Sequence, residues 1–159
     1  MTISDFRGPY QWLSNFYLAM VEYEGNYYPS TEHAFQATKA LSVELRLPFM
    51  TVSQQGLIAP TQLVRMMTCA EAKKAGRRLS LRHDWDKVKL DVMHAVLWSK
   101  FTLHEDLKKK LLATGDEELI EGNTWGDRYW GVCNGVGENH LGRLLMELRV
   151  QLRSPLRVT

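Results

Sequence analysis

Within YYPSTEHAFQATKA, residues 27–40, an acid and a histidine follow a proline and two hydroxyl residues. The acid, Glu32, can stabilise a developing cation or take a proton from water, and the imidazole of His33 can shuttle a proton. The same pair also suits a helix start. With Ser30 or Thr31 as N-cap, Glu32 falls in the first turn, where the helix dipole favours a carboxylate by roughly 0.3–1 kcal/mol. Glu32, Gln36 and Lys39 are spaced i, i+4, i+7, which makes one polar stripe beside Phe35, and the small Ala34 and Ala40 let a neighbour come close. His33 lies on an adjacent stripe with Ala37 and reads as a hydrogen-bonded structural histidine.

A second group is GNTWGDRYWG, residues 122–131. Trp125, Asp127 and Trp130 suit a ligand wall carrying one charged group, or a packed aromatic corner in which Asp127 caps a turn. Both readings are open. A third is basic: Lys73, Lys74, Arg77 and Arg78, extended by Arg82, Lys87 and Lys89 around Trp85. Cations beside an aromatic ring suit a phosphorylated or nucleotide-like ligand, although solvated helix faces carry similar runs. A fourth, GVGENHLGR over residues 135–143, mimics a phosphate loop, but Arg143 and Leu144 replace its lysine and hydroxyl. A glycine-rich turn entering a helix offers backbone N–H groups to an anion, or simply packs that helix.

Other chemistry is poorly served. The five histidines, at 33, 83, 94, 104 and 140, include no H-E-x-x-H pair, so no metal site is expected. Cys69 and Cys133 have no partner spacing, so neither a disulfide framework nor a zinc knuckle follows. A net charge of +2 gives no global argument for nucleic acid or membrane. No apolar run reaches the roughly 18 residues that a membrane span needs, and the expected location is cytoplasmic.

The elements that would position these residues are mainly helical. LAMVEYEGNYY reads as a hairpin about Glu24-Gly25-Asn26, and from Thr31 the chain turns helical. Thr68 and Glu71 form a capping box for a helix through AKKAGRRL. A helix from about Trp85 to Phe101 has Asp84 as N-cap and Val88, Val92, Met93, Val96 and Leu97 at helical spacing. Another covers Glu105–Ala113 and stops at Gly115. ELIEGNTWGDRYWGV gives two short extended pieces around Gly126. A last helix, NHLGRLLMELRVQLR, turns Leu141, Leu144, Leu145 and Leu148 inward and its arginines elsewhere. With 159 residues and no linker or repeat, the expectation is one α-rich domain with a small β element.

Taken in order, LSNFY, YPSTEHAFQATK, AKKAGRR, LRHDWDKVKLDVM, KF, TGDEELIEGNTWGDRYWGV and NHLGRLLMELR resemble the YbiA-like, or NADAR, family over residues 5–150. The resemblance implies a single mainly α domain over residues 1–159, an orthogonally packed helical bundle with a few short strands. It also implies an N-glycosidase. One family branch cleaves the base–ribose bond of phosphorylated early riboflavin-pathway intermediates, and another removes ADP-ribose from guanine in nucleic acid. Position by position, the family's catalytic carboxylate is Glu32 and the lysine of its A-K-x-x-G pattern is Lys73, followed by Arg77. Trp85, Trp125, Asp127, Trp130, Asn139, Arg143 and the Asn15 of LSNFY complete the implied site.

Breaking a C1′–N bond builds positive charge on C1′ and the ring oxygen, while the leaving base needs a proton. The residues permit Glu32 beside C1′, with Asp127 positioning ribose hydroxyls or water. Lys73 and Arg77 would bind phosphate, and Trp85 with Trp125 or Trp130 would enclose the base. Alternatively a lysine attacks the opened sugar as a Schiff base. Neither route requires a cofactor. A non-catalytic reader of ADP-ribose, or a basic protein that holds nucleic acid, is the rival reading, and the short chain favours a small-molecule substrate.

Overall fold

The structure is a computed structural model that describes residues 1–51 and 66–154. In chain order the elements are β1 (Thr2–Ile3), a 3-10 turn (Gly8–Leu13), β2 (Val21–Tyr23), β3 (Asn26–Tyr28), α1 (Thr31–Ala37) and α2 (Val43–Arg46). A second 3-10 turn (Leu47–Phe49), α3 (Cys69–Gly76), α4 (Trp85–Leu103), α5 (Glu105–Ala113), β4 (Glu118–Leu119), β5 (Gly122–Asn123), β6 (Val132–Cys133) and α6 (His140–Arg153) follow. The chain is therefore mainly α with a few short strands. It forms two compact units, one from Met1–Ser14 and the chain beyond His104, the other from Asn15–Leu103. Among the described residues, no helix is long and apolar enough to cross a membrane.

Among the described residues, the Asn15–Leu103 unit is built on a hairpin and four α-helices. Strands β2 and β3 are antiparallel, with Val21 opposite Tyr28 and Tyr23 opposite Asn26. Glu24 and Gly25 at φ 50° and 78° make the tight two-residue turn that matches strand twist. The sequence places this turn correctly, one residue shorter than expected because Asn26 already belongs to β3. Ser99 of α4 accepts from the Glu22 N–H at 2.8 Å and ties the hairpin to that helix. Helix α1 packs against α3 and α4. All seven of its residues are buried, so it is an interior helix whose polar side chains must find partners within the unit.

Its neighbours begin as expected. Thr68 Oγ1 accepts from the Glu71 N–H at 3.2 Å and Glu71 Oε2 from the Thr68 N–H at 2.8 Å, a complete capping box worth about 1 kcal/mol. The Asp84 carbonyl accepts from the N–H groups of Lys87 and Val88 at the start of α4, while its carboxylate takes two bonds from Arg82, at 2.6 and 2.9 Å. Val92, Met93, Val96 and Leu97 face the core. So does Lys100, which is 0% exposed, with its ammonium 5.5 Å from the Tyr17 ring and 5.3 Å from the Phe101 ring.

The other unit pairs β1 with β4 and β5 with β6, both parallel, and packs α6 against α5 and β4. Leu107, Leu111, Leu119, Leu141, Leu145 and Leu148 form its core. Gly115, at φ 63°, ends α5 where expected. Two side chains of α6 depart from the expected pattern. Leu144 is only half-buried, and Arg149 is buried, donating to Thr114 Oγ1 at 2.7 Å and to the Glu117 carbonyl at 2.9 Å. Arg149 thus satisfies groups just past the end of α5, which no helical period reveals.

Gly142 lets α6 reach β4. A Cβ there would lie 2.1 Å from the Leu119 carbonyl oxygen, a backbone atom that cannot move aside. Gly142→Ala is expected to lose roughly 1–3 kcal/mol of stability despite alanine's better helix propensity, read as a lower urea midpoint. An unchanged midpoint would mean that this contact is looser than described.

Candidate active site

Glu32 enters α1 in its first turn, and the local chain fixes it on three sides. Ser30 is the N-cap, its hydroxyl accepting from the His33 N–H at 3.2 Å. The Glu32 N–H donates to the Asn15 carbonyl at 3.2 Å, and Thr31 Oγ1 donates to the Asn15 side-chain oxygen at 2.9 Å. The Asn15 amide also approaches the Met93 sulfur at 3.6 Å. Asn15 is buried and its side chain braces the start of α1, so its position suits support of Glu32 better than contact with a ligand.

The Glu32 carboxylate is 6% exposed and accepts a 2.7 Å bond from Gln36 Nε2, one turn along. Lys39, just beyond the helix, completes the stripe. Burial pushes its ammonium down, Glu32 supports its charge, and Arg77 and Lys73 oppose it. Lys39 is therefore close enough to feel one carboxylate, Glu32, and two cations from α3 and its end, Lys73 and Arg77. Lys39 is the member that the candidate list from sequence lacks, although its i+7 spacing from Glu32 was the signal for it. Lys73 sits 5.9 Å from the Phe16 ring, and Arg77 is exposed.

His33 points elsewhere. Its Nε2 lies 2.6 Å from the Met67 carbonyl, so that nitrogen carries the proton, and Nδ1 accepts from the Ser30 hydroxyl at 2.7 Å. Cys69 Sγ, 3.3 Å from the Phe16 carbonyl, completes this pocket, and burial pushes the thiol up and the imidazole down. Because folding favours neutral His33, stability is full above about pH 6.5 and falls below it as the unfolded chain takes the proton. His33→Gln is expected to flatten that acid decline in a melting series from pH 7.5 to 5. An unaltered decline would assign it to other groups.

Trp85, expected to stack a base, is 6% exposed and packs at 5.0 Å on Phe35. Its indole is a core group, at the start of α4 and against the Phe35 ring of α1. Arg82, from the same basic run, is paired with Asp84 and donates its N–H to the Lys39 carbonyl at 2.8 Å.

In the other unit the segment 122–143 folds on itself. Asp127 Oδ1 accepts from the N–H groups of Tyr129 and Trp130 at 3.1 and 2.9 Å, and Asn123 brackets the Asp127 backbone at 2.7 and 3.1 Å. This is the turn-capping geometry. Trp130 meets Tyr129 edge-on at 5.0 Å, whereas Trp125 is 57% exposed. The N–H groups of Glu138, Asn139, His140 and Leu141 donate to the carbonyls of Arg128, Gly131, Tyr129 and Trp130. These four donors at the start of α6 are therefore taken by the chain's own carbonyls, which supports the packing reading of the turn. Asn139, at φ 54°, accepts from the Glu121 N–H and donates to the Leu119 carbonyl, so both ends of its buried amide hold the turn rather than a substrate. Arg143 is exposed on the first turn of α6.

Comparison with known proteins places this arrangement. The chain is 42% identical over 142 residues to the N-glycosidase YbiA of Shigella flexneri, covering 87% of this chain and 79% of that protein. It is 34% identical over 144 residues to a riboflavin biosynthesis protein of Vibrio vulnificus, where it spans only 35% of the longer protein. The NMR structure of the E. coli protein YbiA superposes with a TM-score of 0.77 at 35% identity, over 96% of this chain and 84% of that one. The NADAR domain model matches residues 4–153, through both units, and the chain belongs to the NADAR domain family.

Proposed function

We propose that the chain is an N-glycosidase that hydrolyses the C1′–N bond of a 5′-phosphorylated ribosyl compound, of the kind met early in riboflavin synthesis. The observation that carries this reading is the buried Glu32, held by Gln36 at 2.7 Å with Lys39 near enough to feel its charge. Its helix packs against α3, the source of Lys73 and, at its end, Arg77. Such a site has one negative group for a cationic sugar carbon and several positive groups for a phosphate. The names of the relatives, N-glycosidase YbiA and a riboflavin biosynthesis protein, point the same way.

In this account the C1′–N electron pair leaves with the base. Positive charge spreads over C1′ and the ring oxygen, where Glu32 stabilises it. A water oxygen then bonds to C1′, one of its protons passing to the leaving nitrogen and the other remaining on the new hydroxyl. Lys73 and Arg77 hold the phosphate and so fix C1′ relative to Glu32. The depressed Lys39 ammonium favours one variant, in which the lysine amine displaces the base at C1′. The C1′–ring-oxygen bond then breaks with the amine's proton passing to that oxygen, and water hydrolyses the resulting imine of the opened sugar. Borohydride added during turnover would trap that imine on Lys39, and direct water attack leaves no adduct.

The substrate class is tested by offering a phosphorylated ribosylaminopyrimidine and ADP-ribosylated guanine DNA side by side. Release of free base from the pyrimidine is expected, with little release from the DNA. The reverse preference would move the assignment to removal of ADP-ribose from nucleic acid. Binding of ADP-ribose without any cleavage would make the chain a nucleotide reader.

A further inference from the structure

Gln36 is 5% exposed, and only one end of its amide has a conventional partner. Its nitrogen donates to Glu32, while Oε1 is buried with no hydrogen-bond partner among the described residues. Turning the amide over would set oxygen against the carboxylate, so the donor end must face Glu32. What Oε1 faces instead is α3. A Cβ built on Gly76 would lie 2.0 Å from Gln36 Oε1, 2.8 Å from its Cδ and 2.9 Å from its Cβ. The amide is therefore clasped between the Glu32 carboxylate and the bare Cα of a glycine, and a weak Cα–H contact is the available substitute for its missing bond.

This glycine follows Lys73 by three residues and precedes Arg77. The close approach of α3 to α1 that it permits thus also sets how near both cations come to α1 and to Lys39. We propose that Gln36 is a positioning residue for Glu32, and that Gly76 is the wall that keeps the Gln36 amide on that carboxylate. The proposal rests on Glu32 being the acting carboxylate. Gly76 differs from Gly142 in what a methyl would meet: only atoms of the Gln36 side chain, its amide end most closely, rather than a backbone carbonyl. Gly76→Ala therefore moves the Gln36 amide off Glu32, with a shift of a few tenths of an ångström between α1 and α3 to relieve the approach to the Gln36 Cβ.

The test is steady-state hydrolysis of a phosphorylated ribosylaminopyrimidine by Gln36→Leu, Gly76→Ala, Gln36→Ala and the Gln36→Ala/Gly76→Ala double variant. Losing the bond to a charged group should lower kcat by about 10–100-fold in Gln36→Leu, with KM within about twofold of wild type. Gly76→Ala should lower kcat comparably alone. In the Gln36→Ala background it should cost clearly less than in wild type, because the amide clash is gone and only the 2.9 Å approach to the residue-36 Cβ remains. If Gln36→Leu fails to fold, Gln36→Met fills the same volume without a donor and is read instead. An unchanged kcat in the Gln36 variants, or a Gly76→Ala loss that persists in full without Gln36, would overturn the proposal. Full activity in Glu32→Gln would instead remove the assignment of Glu32 itself, and the two failures are separable in one set of assays.

Discussion

Glu32→Gln is expected to fold normally and to lose roughly 10²–10⁴-fold in kcat. Glutamine fills the same volume, and its carbonyl can still accept from Gln36, so the packing of α1 on α3 is kept. What disappears is the negative charge facing C1′. Substrate affinity should hold or tighten, since the cations around position 32 lose their neutralising partner and attract phosphate more strongly. The adjacent residue should behave oppositely. His33→Ala removes the bonds to Ser30 and the Met67 carbonyl, and should lower the melting temperature while kcat changes far less. Equal kcat losses in the two variants would mean that the start of α1, rather than the carboxylate, is what matters.

The second large effect concerns phosphate. Lys73→Ala and Arg77→Ala should each raise KM for a 5′-phosphorylated substrate by about 10–100-fold, the range of a lost charge-assisted hydrogen bond. The dephosphorylated compound should be almost indifferent to either change. Arg77 is exposed, so its contribution should weaken with added salt, and Lys73, half-buried beside Phe16, should be less sensitive. If both compounds lose affinity equally, the two cations serve packing or the base rather than phosphate.

Local signals account for what the sequence made readable. The Glu24-Gly25 turn, the Thr68–Glu71 box and the Gly115 stop each depend on residues within four positions, and each appears where the residues require it. The Glu32–Gln36 bond was legible for the same reason, since the two residues are one helical turn apart. The misses involve partners far along the chain. Arg149 is buried because Thr114 lies 35 residues away, and Lys100 because the rings of Tyr17 and Phe101 enclose its ammonium. Trp85 looked like a stacking surface because cations surround it in sequence, yet Phe35 takes that face. The glycine-rich turn before α6 resembled an anion site until the carbonyls of residues 128–131 were found on its donors. The parallel pairs β1–β4 and β5–β6 are two residues long, too short to show alternation.

The most direct measurement of the central claim pairs calorimetry with chromatography on a phosphorylated ribosylaminopyrimidine, using wild type and Glu32→Gln. The account predicts that both bind, that wild type releases free base and ribose 5-phosphate in equal amounts, and that Glu32→Gln releases almost none. Binding by wild type without release, or equal release by both proteins, would contradict it.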